Sequence, residues 1–176
     1  MTPVSRFLFL IVMLLAGAAG ATPVRAGLDV ALLLRQEAGG QRSGLVSGGP
    51  RVSLDLGRYL SLSADYRFAW ASEGTVASAT TQYHRASLRP ELHLPVRTTD
   101  FVLAAGPALT LLHTTLGGTG ARVSTTYTRL GISGGAAVDI HLEPLTLRTG
   151  VDVVWAARRM DVSVGLGALF SFGGAP

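Results

Sequence analysis

No stretch restricts this chain more than Tyr59–Trp70, YLSLSADYRFAW. Its even positions carry Leu60, Leu62, Ala64, Tyr66, Phe68 and Trp70, and its odd positions include Ser61, Ser63, Asp65 and Arg67. Successive side chains of a strand point to opposite faces, so this is a strand with one apolar face ending in aromatics and one charged face. A helix would scatter the same residues around its circumference.

The design recurs. Strand-like segments cover roughly Leu28–Arg35, Leu45–Leu56, Leu60–Trp70, His84–Val96, Phe101–His113, Thr125–Leu142, Leu145–Ala157 and Met160–Phe172. Tight links, Gly57-Arg58-Tyr59, Arg97–Asp100 and Glu143-Pro144, alternate with Gln36–Gly44, Ala71–Tyr83, Thr114–Ser124 and the short Arg158–Arg159. An even number of strands with short turns at one end and longer loops at the other is the pattern of a bacterial outer-membrane barrel, its longer loops outward.

The distribution of charge sharpens this reading. The apolar phase holds Leu28, Val30, Leu32 and Leu34, then Val52, Leu54 and Leu56, then Leu88, Leu92, Leu94 and Val96. Later strands add Phe101, Leu103, Leu109, Leu111, Leu130, Ile132, Val138, Ile140, Leu147, Val151, Val153, Trp155, Val162, Val164, Leu166, Phe170 and Phe172. The opposite phase holds Asp29, Asp55, Asp65, Glu91, Asp139, Asp152 and Asp161 together with Arg35, Arg51, Arg67, Arg85, Arg89, Arg129 and Arg148. Eight strands use up eight free choices of phase, and the remaining charges would all agree by chance roughly once in sixty. Seven acids against seven arginines suits an eight-stranded lumen, which side chains can fill and where buried charges must be paired. The tight turns set Arg51 opposite Asp65 and Asp139 opposite Arg148, all inward. The bulky inward set Arg85, Arg89, Glu91 and His93 faces the small set Ala104, Gly106 and Ala108.

A soluble barrel has the same alternation but turns the apolar face inward. Aromatic placement favours the membrane: Trp70, Trp155 and Tyr127 fall near the outer strand ends, and Tyr59, Phe101, Phe170 and Phe172 near the inner ends, as two interfacial girdles require.

The N-terminus reads as an export signal: Arg6, the apolar run Phe7–Leu15, then small residues with Ala19-Gly20-Ala21 as the cleavage motif and Val24-Arg25-Ala26 as a second option. The expected division is a signal peptide over 1–21 (cleavage after 21 or 26), a barrel over 27–172 and a tail over 173–176. The apolar run of the leader is too short to span a bilayer as a helix. The chain has no cysteine, which removes disulfides, thiol chemistry and Cys-based zinc sites. Its formal charge of +4, without a basic stripe, gives no basis for nucleic-acid binding.

From these features the chain resembles the small eight-stranded outer-membrane barrels of the OmpA/OmpX type, over residues 27 to 172. The resemblance rests on the eight alternating segments and on the C-terminal VSVGLGALFSF, which looks like the family's signal to the outer-membrane insertion machinery. It implies an all-β, antiparallel, up-and-down transmembrane barrel in the bacterial outer membrane, a monomer among lipid and lipopolysaccharide. Gly173–Pro176 after the phenylalanine depart from the family pattern. So do Pro50, Pro90 and Pro107, in GPRVSL, RPELHL and GPALTL, which remove ladder donors and are expected to mark bulges or a weak repeat.

Chemistry is sparser. The expected interior network comprises Arg51, Asp65, Arg67, Arg89, Glu91, Asp139, Arg148 and Asp152. Arg42, Arg122, Arg158 and Arg159, in the outer links, are candidate lipopolysaccharide contacts, since guanidinium suits phosphate. With Arg97–Asp100 as the turn, His84 falls opposite His113 on the lipid face, which would fit a lipid-A-modifying enzyme. No serine and acid stand beside them, and amphipathic rings are at home at the headgroup level. His93 and His141 point inward among the charges, a poor metal site. The reading is therefore a non-enzymatic envelope protein with a charge-paired lumen rather than an open pore, with no catalytic residue, cofactor or metal. Alternatives are the lipid-A enzyme and a soluble periplasmic lipocalin-like barrel for an apolar ligand.

Overall fold

A computed structural model describes residues 23–36, 42–73, 78–118, 121–156 and 159–172. The expected leader over 1–21 and tail over 173–176 lie outside them. Eight strands form a closed antiparallel barrel in chain order: β1 (Val24–Gln36), β2 (Arg42–Asp55), β3 (Leu60–Glu73), β4 (Ser78–Val96), β5 (Thr99–Gly118), β6 (Ala121–Leu142), β7 (Leu145–Ala156) and β8 (Arg159–Phe172). β8 closes on β1 through Arg35 opposite Asp161 down to Val24 opposite Phe172. The expected all-β up-and-down barrel is what the chain adopts.

Stagger follows from the register. A path from Asp55 passes through Ser61, Glu91, Ala104, Gly135, Asp152, Ser163 and Leu33 and returns to β2 at Leu45, ten residues away. Eight strands with that stagger tilt by about 40° to the axis. Eleven residues of β7, from Leu145 to Trp155, then rise about 25 Å, the height of an outer-membrane apolar band.

Phase is as the alternation requires. Leu28, Val30, Leu32 and Leu34 are exposed while Asp29, Ala31, Leu33 and Arg35 between them are buried. All fourteen charges of the polar phase point inward. Among outward residues only the degree of exposure varies: Leu54 and Ala64 share the apolar phase yet are covered by their neighbours. The wall is thus apolar outside and charged inside, the reverse of what the soluble lipocalin-like alternative requires.

Three expectations need correction. First, the proline segments contain no bulge: each register runs unshifted past Pro50, Pro90 and Pro107, and all three rings face outward on the exposed surface. Only the pairing near Gly49–Pro50 and near Leu88–Pro90 is interrupted. Second, the Arg97–Asp100 turn is tighter than expected. Val96 pairs with Thr99, and Arg97 takes a positive φ of 60° as the turn's first central residue. Third, much of the Thr-rich sequence read as outer loop is strand. Thr81 stands opposite Thr114, Thr114 opposite Thr125, and Thr115 opposite Ser124. Threonine is β-branched and fits a sheet without supplying an apolar face, so periodicity alone misses it. β4, β5 and β6 therefore project beyond the other strands.

Of the expected outer girdle, Trp70 and Trp155 are outward and exposed. Tyr127 is not part of it, because it shares the inward phase of Arg129 and lines the outer mouth.

Candidate functional site

The lumen is filled mainly from one side. β1 to β4 send in Arg25, Asp29, Arg51, Asp65, Arg67, Arg85, Arg89 and Glu91, whereas the inner faces of β5 to β8 are largely Ala and Gly, broken by Asp139, Arg148 and Asp152. Two glycines show why. A Cβ at Gly135 would meet the Asp152 carboxylate, and one at Gly167 the Asp29 carboxylate. The small wall is the space that the long side chains occupy.

These side chains form one chain of alternating sign. It begins at the inner mouth with Asp55–Arg25 (2.6 Å) and Arg25–Asp139 (3.5 Å). Arg148 turns side-on to Asp139, donating from Nε at 2.5 Å, and reaches Glu91 across the barrel at 3.0 Å. Glu91 takes Arg51 at 2.7 Å, Arg51 takes Asp29 at 2.9 Å, and Arg67 lies 3.6 Å from Asp29 and 2.5 Å from Asp152. Arg89 joins Asp152 (2.5 Å) to Asp65 (2.7 Å), and Arg85 lies 3.4 Å from Asp65. Six guanidiniums thus alternate with six carboxylates. Glu91 and Arg89 within it are fully buried, and Ser63 Oγ donates to Glu91 at 2.7 Å.

The expected set Arg51, Asp65, Arg67, Arg89, Glu91, Asp139, Arg148 and Asp152 lies within this chain. One pairing is corrected: Arg51 stands opposite Asp65 in the register, yet each binds other partners. Directly opposed Cβ atoms are only about 5 Å apart, so an extended arginine overshoots a short aspartate beside it. Arg25 is a member that the strand assignment missed, because it sits in the second cleavage motif. Its odd parity with Asp29 and Arg35 was the signal available.

Below the chain, the inner mouth holds a polar cavity of about 180 Å³ lined by residues including Asp55, Arg58, His93, Asp100 and His141. Asp100 Oδ2 lies 3.0 Å from His141 Nε2 and 3.4 Å from His93 Nδ1, and His93 Nε2 is 2.8 Å from Ser61 Oγ. The order Ser61, His93, Asp100 mimics a hydrolase triad. Ser61, however, is 1% exposed and its hydroxyl is also 3.4 Å from Glu91, so no substrate carbonyl can reach it. Above the chain, Leu33, Ala69 and Tyr83 pack into a buried apolar plate with Leu45 and Leu112 against it. Beyond the plate lies a cup lined by Arg35, Tyr127, Arg129, Arg159 and Asp161, among others.

On the wall, His84 stands opposite Leu111 and His113 opposite Gln82, so the expected histidine pair is not formed. The tighter Arg97-Thr98 turn shifts the register by two residues and leaves both rings outward. His84 Nδ1 is 2.6 Å from the Tyr66 hydroxyl, and His113 Nδ1 is 2.8 Å from Thr126 Oγ1. Of the four candidate lipopolysaccharide contacts, the side chains of Arg42, Arg122 and Arg158 lie outside the described residues. Arg159 lines the cup, on the lumen side of the wall.

A closed antiparallel eight-stranded barrel with an apolar outer belt and a charged lumen has the fold of the small bacterial outer-membrane β-barrels. Solved structures of that class superpose over most of the chain. The attachment invasion locus protein Ail of Yersinia pestis matches with a TM-score of 0.68 at 10% identity, over 86% of this chain and 99% of Ail. Neisserial surface protein A gives 0.61 at 13% identity over 86% and 97%. OprG of Pseudomonas aeruginosa gives 0.61 at 10% identity over 88% and 97%. No protein-family model matches the chain, and no curated protein matches it by sequence. The likeness is one of fold.

Proposed function

We propose that the protein is an integral outer-membrane barrel with a structural, envelope-interaction role, and that its lumen is closed to diffusion. The observation behind this reading is the alternating chain of twelve charged side chains, capped on its outer side by the plate of Leu33, Ala69 and Tyr83. The free space beside the chain, between Asp29, Arg51, Glu91, Arg148 and the glycines of β7 and β8, is about 30 Å³. That is room for a water-sized group and not for a continuous aqueous path. The partners in this reading are outer-membrane lipid and lipopolysaccharide around a monomer, with the insertion machinery acting on β8 during assembly. In β8, Val164, Leu166, Phe170 and Phe172 form an exposed outward row.

Planar-bilayer recording of the refolded full chain tests the closed lumen. The expected result is no steady conductance, and a stable ohmic channel would refute it. Extraction with the outer-membrane fraction and a heat-dependent shift on a detergent gel are expected for the location.

A further inference from the structure

Twelve charges of the lumen neutralise one another, and the outer cup does not follow that rule. Among the described residues three arginines, Arg35, Arg129 and Arg159, line it against one carboxylate, Asp161. Arg35 stands opposite Asp161 between β1 and β8, and Arg129 opposite Thr110 between β5 and β6. Among the described residues none of these three guanidiniums forms a salt bridge, whereas every arginine of the chain below does. Arg35 is nevertheless buried.

The cup also holds polar atoms without partners. The Tyr83 hydroxyl belongs to a residue only 1% exposed and faces the Thr110 hydroxyl across the cup, with no hydrogen bond of normal length between them. Thr110 Oγ1 and Asp161 Oδ1 are likewise buried and unpartnered, and all three residues line the same space. Buried polar atoms are as a rule hydrogen-bonded, so two hydroxyls and a carboxylate oxygen left without close partners around one gap mark a place that a polar ligand would satisfy. Guanidiniums and hydroxyls together line one space with donors. Asp161 Oδ1 adds a single acceptor among them.

We infer that the outer cup is a binding site for a small oxyanion that still carries a proton at neutral pH, of the hydrogen phosphate class. The arginines, Tyr83 and Thr110 donate to its oxygens, while its P–O–H donates to Asp161. Sulfate has no proton to offer at neutral pH and would set a bare oxygen against the carboxylate. The gap between the side chains is about 10 Å³, so the anion enters only where the long arginine side chains draw aside for it. The cup opens into the lumen side of the outer mouth, so phosphates of lipids packed against the wall do not reach it, and the source is a soluble anion. This inference stands whether or not the lumen below conducts.

Isothermal titration of the full chain folded in detergent micelles, with inorganic phosphate and then sulfate, tests it. Phosphate is expected to bind at least tenfold more tightly than sulfate. Arg129→Gln should weaken phosphate at least tenfold, and Asp161→Asn should narrow the gap between the two anions. Arg159→Gln is the second variant, and the heat-dependent gel shift confirms that each is folded. No phosphate binding, equal binding of both anions, or folded Arg129 and Arg159 variants that bind as before would each overturn the assignment. A parallel arm measures association with vesicles containing lipid A. Arg129→Gln is expected to leave that association unchanged, and its loss without loss of inorganic phosphate binding would place the arginine on the lipid side and sink the cup.

Discussion

Glu91→Ala is the sharpest probe of the lumen. Glu91 is 0% exposed and accepts from Arg51 Nη2 at 2.7 Å, Arg148 Nη1 at 3.0 Å, Arg148 Nη2 at 3.1 Å and Ser63 Oγ at 2.7 Å. Removing it leaves one uncompensated positive charge in a sealed interior. Breaking a buried ion pair from one side costs about 3–5 kcal/mol. The lower end applies, because Arg51 keeps Asp29 and Arg148 keeps Asp139. A loss of about 3 kcal/mol is a factor of about 150 in the folding equilibrium. Asp55→Ala is the control. Among the described residues Asp55 pairs only with Arg25, its side chain is 28% exposed, and Arg25 retains Asp139, so under about 1 kcal/mol is expected. Urea titration of the refolded chain in micelles, followed by tryptophan fluorescence and by the gel shift, should show a midpoint drop of about 1–2 M for Glu91→Ala. The double variant with Arg148→Ala should fall short of the summed single losses by about 1–3 kcal/mol. Equal midpoints for the Glu91 and Asp55 variants, or strict additivity with Arg148, would refute a coupled chain of charges.

Three further outcomes follow from the same geometry. Gly135→Ala sets a methyl against the Asp152 carboxylate and should destabilise by about 1–3 kcal/mol, while Gly134→Ala next to it meets only the Ala104 carbonyl oxygen at 3.7 Å and should be nearly neutral in the same urea titration. Leu166→Arg places a charge midway along the outer face of β8, at a residue 69% exposed, and should cost about 2–4 kcal/mol of folding into lipid vesicles, with no effect expected if that face were wet. Mass spectrometry of the exported chain should give Thr22 as the first residue. Cleavage after Ala26 would delete Arg25 and strand Asp55, and finding that terminus would remove Arg25 from the charge chain.

Phase was legible in the sequence because it is over-determined. A shift of one residue would turn Asp29, Arg35 or Glu91 into the wall, so charge and periodicity report the same fact independently. The turns at Gly57-Arg58-Tyr59 and Glu143-Pro144 were legible for the same reason, since each must preserve parity across a hairpin. Register at Arg97 was not, because a shift of two residues keeps every face correct and only moves His84 from His113 to Leu111. The projecting ends of β4 to β6 escaped because threonine and serine carry no apolar phase, although their backbone pairing is as regular as that of the belt.

Ion partners lie a level deeper still, and the reason bears on how such a barrel is built. Parity states which side chains share the lumen, but a tilt of about 40° and an arginine arm spanning two strands decide which of them touch. Arg51 bypasses the aspartate opposite it for Glu91, and Glu91 in turn reaches over the small wall to Arg148 on β7. Each strand of the first half is thereby tied to strands it does not hydrogen-bond. A hydrogen-bonded ladder alone fixes only neighbours, and these cross-lumen contacts add the constraints that hold the cylinder's section. Among the described residues the cup beyond the apolar plate has no such ties, and its arginines are the ones proposed to bind an anion. One composition, alternating Asp and Arg on an inward phase, thus serves as scaffold where the signs balance and as receptor where they do not.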